Sequence, residues 1–167
     1  MKAVSLTNSS FVAIVDDEDF AMVDGHSWRL HRDRHVSYAY ATFKIGDRKR
    51  TVAMHRWILS PPEGVLVDHK NRDGLDNRRR NLRLATNSQN AHNSKKRRNG
   101  TASRFKGVSR HHGAGPLRRR PWMARIRVNG RLICLGVFAT EIEAAMAYDA
   151  AAKKYYGEFA SANGAGQ

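Results

Sequence analysis

The sequence predicts an α+β protein: a β-rich N-terminal region, then a smaller domain in which a three-stranded antiparallel sheet packs on one helix. Short runs of β-branched and aromatic residues, separated by turn residues, occupy the first part of the chain. Three further strand-like runs precede one long alanine-rich helix near the C-terminus. With 167 residues, the chain is long enough for one ordinary domain or two small ones.

The N-terminal strands are short. Residues 11–15 are an apolar run of strand length, which the acidic cluster at residues 16–19 is expected to close. Residues 36–43 have the β-branched and aromatic content of a strand. Gly46-Asp47 then turns the chain back toward residues 51–53, so a hairpin is predicted there.

The middle of the chain predicts a helix and two brief strands. Residues 54–59 form the short helix, which ends before Pro61-Pro62 because proline lacks an amide donor and restricts the preceding residue. Residues 65–67 and 82–84 are the strands, with a polar loop between them. From the sequence, the first 50 residues are a β-rich platform that packs on this middle part.

Two helix starts carry capping-box spacing, in which a Thr hydroxyl and a Glu or Gln three residues later satisfy each other's backbone amides. The first pair is Thr86 and Gln89, and the second is Thr140 and Glu143. The second helix is expected to run for about 17 residues to Gly157, with small residues facing the sheet. The larger side chains expected to add bulk to this packing are Ile142, Met146, Tyr148 and Tyr155.

The last domain, residues 103–163, contains three strand-like runs at residues 105–110, 122–128 and 132–138. Asn129-Gly130, between the second and third, is a strong hairpin signal. Residues 94–102 before this domain read as a basic linker. Its charged run is either a solvated hinge or a phosphate contact, and both readings are open. The run consists of Lys95, Lys96, Arg97 and Arg98.

The charge points to a polyanionic partner. Lys and Arg number 30 against 15 Asp and Glu, a formal net charge of +15. No stretch approaches the ~18 apolar residues of a membrane-spanning helix, and no signal peptide is seen, so a cytoplasmic protein of a bacterial or phage-infected cell is expected. A single Cys134 excludes a disulfide framework and a cysteine-rich zinc site. Charge and composition alone favour a ribosomal or chromatin-like binder.

Four polar residues at fixed spacing could hydrolyse a phosphodiester. Asp68 and His69 end a strand, Asn81 follows Asp68 by thirteen residues, and Asn90 follows Asn81 by nine. A neutral imidazole can take a proton from water, and hard oxygen ligands suit a magnesium-type cation. Taken singly, the Asp-His pair could be a surface pair, Asn81 could cap a turn or aim the imidazole, and Asn90 could be simply exposed.

The pattern around these residues resembles the HNH nucleases of phage and homing-endonuclease type. It comprises Met54-His55-Arg56, Val67-Asp68-His69, Asp76-Asn77-Arg78, Asn81-Leu82-Arg83, Thr86, Asn90 and Asn93, within about residues 54–93. The resemblance implies a ββα-metal nuclease core inside a domain of residues 1–93. It also implies that His69 is the general base, that Asp68 and Asn90 bind the metal, and that Asn81 orients His69.

The metal expected is magnesium or manganese (Mg²⁺ or Mn²⁺). Many HNH relatives carry His at the helix position that is Asn90 here, and an amide oxygen lowers the affinity for softer transition metals. His92 is offset from Asn90 by two residues, nearly opposite on a helix, so it is not assigned as a ligand. His55 is expected to pack in the core rather than to react.

Residues 103–163 resemble the ethylene-response-factor (Apetala-type) DNA-binding domain. The resemblance rests on the strand residues 105–110, 122–127 and 135–138 and on the alanine-rich helix. It implies that the sheet enters the major groove of DNA with the helix behind it. The Arg and Trp usual on the third strand are replaced by Leu132 and Cys134, which affects the base preference.

Strand alternation independently places Arg125 and Arg127 on the face opposite Trp122, Ala124 and Ile126. A plain solvent-exposed face is the alternative. Other basic residues are expected to contact the DNA backbone. They are Arg78, Arg79, Arg80, Lys106, Arg110, Arg118, Arg119, Arg120 and the four residues of the linker run.

The sequence therefore predicts a metal-dependent endonuclease that acts on double-stranded DNA, either as a nickase or on both strands, and is positioned by its C-terminal domain. No membrane and no obligatory protein partner are expected. The alternative is a sequence-specific DNA-binding regulator whose nuclease core is inactive. An RNA-binding role lacks support because the aromatic residues look like core residues rather than stacking platforms.

Overall fold

The computed structural model describes residues 1–33, 36–96, 102–112, 119 and 121–164. The chain divides into two compact units, Met1–Asn90 and Ala91–Gln167. The described residues form several small antiparallel sheets and four α-helices, which confirms the mixed α and β class. Within those residues, no helix is both long enough and apolar enough to span a membrane.

The first part of the N-terminal unit contains two small sheets and two helices. A hairpin of β1 (Lys2–Ser5) and β2 (Val12–Val15) leads into helix α1 (Asp17–Asp24). The second sheet consists of β3 (Arg29–Arg32), β4 (Ser37–Ile45) and β5 (Arg48–Ala53), in that spatial order. Helix α2 (Met54–Leu59) follows directly, as the sequence predicts.

The sequence analysis missed β1, α1 and β3 in this region. The acidic cluster does not only close β2: Asp17, Glu18 and Asp19 form the first turn of α1. Acidic side chains stabilise the N-terminus of a helix because they lie against its partial positive charge. Helix α1 then directs Val23 into the core, where the indole Nε1 of the fully buried Trp28 donates to the Val23 carbonyl at 2.8 Å.

The second part of this unit is a two-stranded sheet with a helix after it. Strand β6 (Leu66–His69) pairs antiparallel with β7 (Leu82–Ala85), and helix α3 (Asn87–Asn93) follows. The predicted capping box at its start is confirmed. The Gln89 amide donates to Thr86 Oγ1 at 3.2 Å, and the Thr86 amide donates to Gln89 Oε1 at 2.8 Å.

The loop between β6 and β7, residues 70–81, is attached to strand β2. The Ile14 amide donates to the Leu75 carbonyl at 2.8 Å, and the Asn77 amide donates to the Ile14 carbonyl at 2.7 Å. These two bonds form a single parallel bridge between the loop and the first hairpin. The N-terminal region therefore holds the loop in shape from one side.

The C-terminal unit contains the expected sheet and helix. Strands β8 (Val108–Arg110), β9 (Trp122–Val128) and β10 (Arg131–Phe138) lie in the order β10-β9-β8, and α4 (Glu141–Tyr156) follows. The Asn129-Gly130 turn has positive φ at both residues, 49° and 79°, as a type I′ hairpin requires. The predicted capping box of Thr140 and Glu143 is present.

Packing in this unit corrects one expectation about α4. Ala144, Ala145 and Tyr148 are buried against the sheet, as predicted from the small-residue face. Three of the larger side chains expected to pack there point to solvent instead: Ile142 is 49%, Met146 52% and Tyr155 42% exposed. Alanines let the helix backbone lie close to the sheet, and Tyr148 adds a buried ring to this packing.

Replacement of Gly74 by Ala should destabilise the first unit. A Cβ at this loop position would lie 2.4 Å from the Ser37 carbonyl oxygen and 2.5 Å from the Tyr38 ring, so the loop would have to move off β4. We expect a loss of about 1–3 kcal/mol in the free energy of unfolding, measured by denaturant titration.

The control is Gly25→Ala, where a new Cβ meets nothing within 4 Å. That change should stay within about 0.5 kcal/mol of the parent protein. A Gly74→Ala protein as stable as Gly25→Ala would contradict the close packing of the loop on β4.

Candidate functional site

Asp68 lies at the end of β6 and is bound by an arginine from the facing strand. The strand register places it directly opposite Arg83. The Asp68 Oδ2 atom accepts hydrogen bonds from Arg83 Nε at 2.8 Å and from Arg83 Nη2 at 2.6 Å. Both side chains are buried, so this is a strong charge-assisted contact. The sequence analysis gave Arg83 no role, although its position two residues after Asn81 on the second strand puts it across from Asp68.

His69 follows Asp68 and is also buried, with 5% of its surface exposed. Its Nε2 atom lies 3.4 Å from Asn77 Oδ1, a long hydrogen bond. The Asn77 Nδ2 group donates to the Leu75 carbonyl at 3.1 Å, which fixes the orientation of the Asn77 amide. Since Oδ1 can only accept, this contact corresponds to the His69 tautomer that carries its proton on Nε2.

Two further rings surround the His69 imidazole. His55 meets it edge-on, with ring centroids 4.9 Å apart, and Tyr38 lies at 5.8 Å. Burial lowers the pKa of His69, and the Asn77 hydrogen bond and the Asp68 charge only partly oppose this effect. The imidazole is therefore neutral at neutral pH, the form that can accept a proton.

His55 is buried, and its Nδ1 atom has no hydrogen-bond partner among the described residues. Burial lowers the pKa of His55 to about 3, with smaller contributions from His69 and Arg56. Its expected packing role agrees with this environment. The ring contacts with Tyr38 and His69 also make His55 part of the wall of the candidate site.

Asn81 acts on the loop backbone rather than directly on the imidazole. Its Oδ1 accepts from the Asn71 amide at 3.0 Å, and its Nδ2 donates to the Asp76 carbonyl at 2.7 Å. Both ends of the Asn81 amide bind backbone groups, and Asn77 faces the ring. That Asn81 orients His69 stays a prediction. Asn77 is fully buried, and the sequence analysis did not identify it as a site residue.

The loop is tightened further by Asp76. Its carboxylate accepts from Asn71 Nδ2 at 2.9 Å and forms a two-atom ion pair with Arg78, at 2.7 and 2.6 Å. The Arg78 hydrogen bond is the main cause that lowers the pKa of Asp76. The guanidinium of Arg78 therefore forms part of the hydrogen-bond network that shapes this loop.

Arg79 is also bound by acidic residues within the fold. It contacts three acidic residues, Asp16, Glu18 and Asp19, and its Nη2 lies 2.7 Å from Asp19 Oδ1. Among the described residues, these three form the one group of acidic side chains that is compact enough to hold a metal ion. Arg79 contacts each of the three. The phosphate contacts expected of Arg78 and Arg79 stay a prediction. Arg80 is exposed.

Asn90 lies on the exposed side of α3, and its amide donates to the Thr86 carbonyl at 3.0 Å. The helix thus begins at the capping box and carries Asn90 in its fourth position. That Asn90 and Asp68 together bind a metal stays a prediction. A carboxylate and an amide oxygen are hard donors and fit Mg²⁺ or Mn²⁺ by their chemistry.

Two lysines predicted to contact DNA donate hydrogen bonds to backbone carbonyls of the C-terminal unit. Lys96 Nζ donates to the carbonyl oxygens of Phe105, at 2.8 Å, and Val108, at 3.3 Å. Lys106 Nζ donates to three carbonyls at the end of α3. Both ammonium groups thus bind backbone carbonyls, and the contact with DNA expected of both lysines stays a prediction.

The remaining basic residues fall into two groups. Exposed in the structure are Lys95, Arg110, Arg119, Arg125 and Arg127. Outside the described residues are Arg97, Arg98, Arg118 and Arg120. On the outer face of the sheet, Arg125 Nη2 lies 3.3 Å from Ser109 Oγ, and the Arg110 guanidinium lies 4.6 Å from the Trp122 ring centroid.

Comparison with known proteins relates the candidate site to nucleases. Residues 60–92, which contain Asp68, His69, Asn81 and Asn90, match the family model of HNH endonucleases. An uncharacterized HNH endonuclease of Acanthamoeba polyphaga mimivirus is 29% identical over 152 residues, which cover 90% of this chain and 74% of that protein. The predicted resemblance to HNH nucleases is therefore confirmed over residues 60–92.

A shorter similarity links the chain to plant proteins. Two AP2-like ethylene-responsive transcription factors of Arabidopsis thaliana are 53% identical over 58 residues, 34% of this chain. The match spans only 11% and 9% of those two factors. The prediction of a DNA-binding domain of that type stays a prediction.

Replacement of His55 by Phe should reduce the acid sensitivity of the protein. The pKa of His55 is about 3 in the folded protein, against an ordinary value of 6.5. Between these two pH values His55 is protonated in the unfolded chain but neutral in the folded protein, so lowering the pH favours unfolding. The stability associated with neutral His55 is therefore complete above pH 6.5 and is lost progressively toward pH 3. This one group can change the free energy of unfolding by at most about 1.4 kcal/mol per pH unit.

Urea titrations at neutral pH and near pH 5 measure this effect. The drop in the free energy of unfolding between the two should be smaller for His55→Phe than for the parent protein. Equal drops in both proteins would contradict a neutral, buried His55.

Proposed function

We propose that this protein is a metal-dependent endonuclease of phage or homing type that hydrolyses phosphodiester bonds in double-stranded DNA. The observation that carries the proposal is the buried neutral imidazole of His69, beside Asp68, within the stretch that matches the HNH endonuclease model. A neutral imidazole with a lone pair is what a general base requires.

In this proposal His69 is the general base. Its Nε2 is turned toward Asn77, so Nδ1 is the atom that takes a proton from the attacking water. Asn77 orients the ring, and Asn81 acts one step further away by closing the loop that carries Asn77. His55 and Tyr38 limit the rotation of the ring by contact.

Asp68 and Asn90 would hold the metal ion. When bound, a divalent cation supplies positive charge that stabilises the charge developing on the phosphate and on the leaving oxygen. The chain's own contribution is to present hard oxygen donors, one from a strand and one from a helix. Arg83 shares the Asp68 carboxylate through Oδ2, so it helps to orient Asp68.

The ion pair between Arg83 and Asp68 is also the observation that favours the alternative function. If Arg83 neutralises Asp68 permanently, the domain is a scaffold and the protein is a DNA-binding regulator with an inactive core. The two functions differ in one measurable property, metal-dependent cleavage.

The C-terminal unit is proposed to position the protein on DNA through the outer face of its sheet. Arg125 and Arg127 alternate with buried Ala124 and Ile126, and both point to solvent. Their cross-strand partners on β10 are Cys134 and Leu132. A sheet with a basic outer face fits the major groove of DNA in shape and charge. With one active site per chain, the proposed product is a nick.

Substitution of His69 should abolish cleavage without abolishing DNA binding. For His69→Ala with Mg²⁺ or Mn²⁺, we expect a loss of about 100-fold to 10,000-fold in single-turnover cleavage, the usual contribution of a general base. Asp68→Asn should abolish cleavage as well. Because that change removes the carboxylate that binds the buried Arg83 side chain, the folding of the variant needs to be checked by circular dichroism.

The double variant Asp68→Asn with Arg83→Gln removes both charges and serves as the folded control, also expected to be inactive. Retained cleavage in His69→Ala would contradict the assignment of the base. Binding without any metal-dependent cleavage by the parent protein would favour the regulator.

Removal of both sheet arginines should weaken DNA binding. For Arg125→Ala with Arg127→Ala, we expect affinity to fall about 10-fold to 100-fold and the salt dependence to become shallower. Fluorescence anisotropy at several salt concentrations measures both. The charge-matched control is Lys153→Ala with Lys154→Ala, on the exposed side of α4. Equal losses in the two double variants would mean that only net charge matters, and not this face.

A further inference from the structure

The last turn of α3 belongs to the C-terminal unit, because the division of the chain falls after Asn90. In that unit, Lys106 lies against the carbonyl end of the helix. Its Nζ donates to the carbonyl oxygens of His92 at 2.7 Å, Ser94 at 2.9 Å and Ala91 at 3.3 Å. One ammonium group thus satisfies three backbone acceptors.

A short helix needs such a partner. The last four carbonyls of any α-helix have no amide donor within the helix. A positive charge at that end also lies against the partial negative charge of the helix dipole. Helix α3 has seven residues, and of these only Asn93 is buried. A helix of this length is not stable alone in water. Its capping box holds the first turn, and Lys106 holds the last.

Lys106 is itself fixed in place. Its backbone amide donates to Asn163 Oδ1 at 2.7 Å, and its carbonyl accepts from Asn163 Nδ2 at 3.1 Å. Asn163 is in turn bound to Asp149 of α4, at 2.8 Å from its amide and 2.9 Å from its Nδ2. The position of the ammonium group is therefore set by α4 and by the chain segment that follows it.

A ring contact holds the same turn from α4. The His92 imidazole stacks on Tyr156, with centroids 3.6 Å apart and planes 9° from parallel. The Tyr156 hydroxyl donates to the Arg127 carbonyl on β9 at 2.7 Å. The end of α3 is thus attached both to the helix and to the strand proposed to read DNA.

We propose that Lys106 is a positioning residue for the metal site: it holds the last turn of α3 and thereby keeps Asn90 in place. In an α-helix the carbonyls of residues 87–90 accept from the amides of residues 91–94, so fraying of the last turn releases the turn that carries Asn90. The inference rests on the proposed function in one respect, the assignment of Asn90 as a metal ligand.

The test compares Lys106→Met with Lys153→Met. Methionine keeps a long apolar stem but has no N–H donor, and Lys153 is an exposed lysine of α4 in the same unit. Two measurements are made on the full chain without following cleavage: amide hydrogen exchange of residues 90–94 in the absence of metal, and Mn²⁺ binding by electron paramagnetic resonance.

For Lys106→Met we expect exchange of residues 90–94 to become about tenfold faster and Mn²⁺ affinity to fall by a similar factor, as expected when charged hydrogen bonds at a helix end are lost. Lys153→Met should match the parent protein. Lys106→Arg retains the charge and the donors, so it should recover most of the protection. That variant also keeps the comparison possible if the methionine variant does not fold.

Two results would overturn the inference while leaving the proposed function intact. One is unchanged exchange and unchanged Mn²⁺ affinity in Lys106→Met. The other is a loss of DNA affinity alone, which would make Lys106 a phosphate contact. A parent protein that binds no Mn²⁺ would contradict the proposed function instead, and the exchange measurement would still decide whether Lys106 holds α3.

Discussion

The candidate site depends on one buried side chain, Asn81, which closes the loop between β6 and β7. Its amide joins the backbone of Asn71 to that of Asp76. Closure of the loop lets Asn77 reach His69 while the Asn77 backbone pairs with Ile14 of the first hairpin. A polar loop of this kind has no apolar core of its own, so buried hydrogen bonds determine its shape. The orientation of the proposed base follows from them.

Elements with complete local signals were predicted from the sequence. The proline-terminated helix α2, both capping boxes and the Asn129-Gly130 turn are examples. Strands β1 and β3 were missed because they are short and form only by pairing with β2 and β4, which local patterns do not report. In the site, Asp68 and His69 were found by spacing, whereas Asn77 and Arg83 depend on loop closure and strand register.

Part of the large positive charge is bound by acceptors within the fold. Arg78 and Arg79 are bound by carboxylates, and Lys96 and Lys106 are bound by backbone carbonyls. Such residues look like phosphate contacts in a sequence, because a charge run says nothing about where each long side chain ends. Arginines on an alternating strand, such as Arg125, are easier to interpret because strand geometry decides which face they occupy.

The central claim is the proposal that this chain, whose residues 60–92 match the HNH endonuclease model, cuts DNA with the help of a divalent cation. The most direct test is to incubate the full chain with a genomic DNA library in Mg²⁺, and in parallel with a chelator, and to map new ends on both strands at nucleotide resolution. The proposal predicts discrete ends at recurring positions on one strand, present with Mg²⁺ and absent with the chelator. Bound DNA with no new ends under any divalent cation would contradict it.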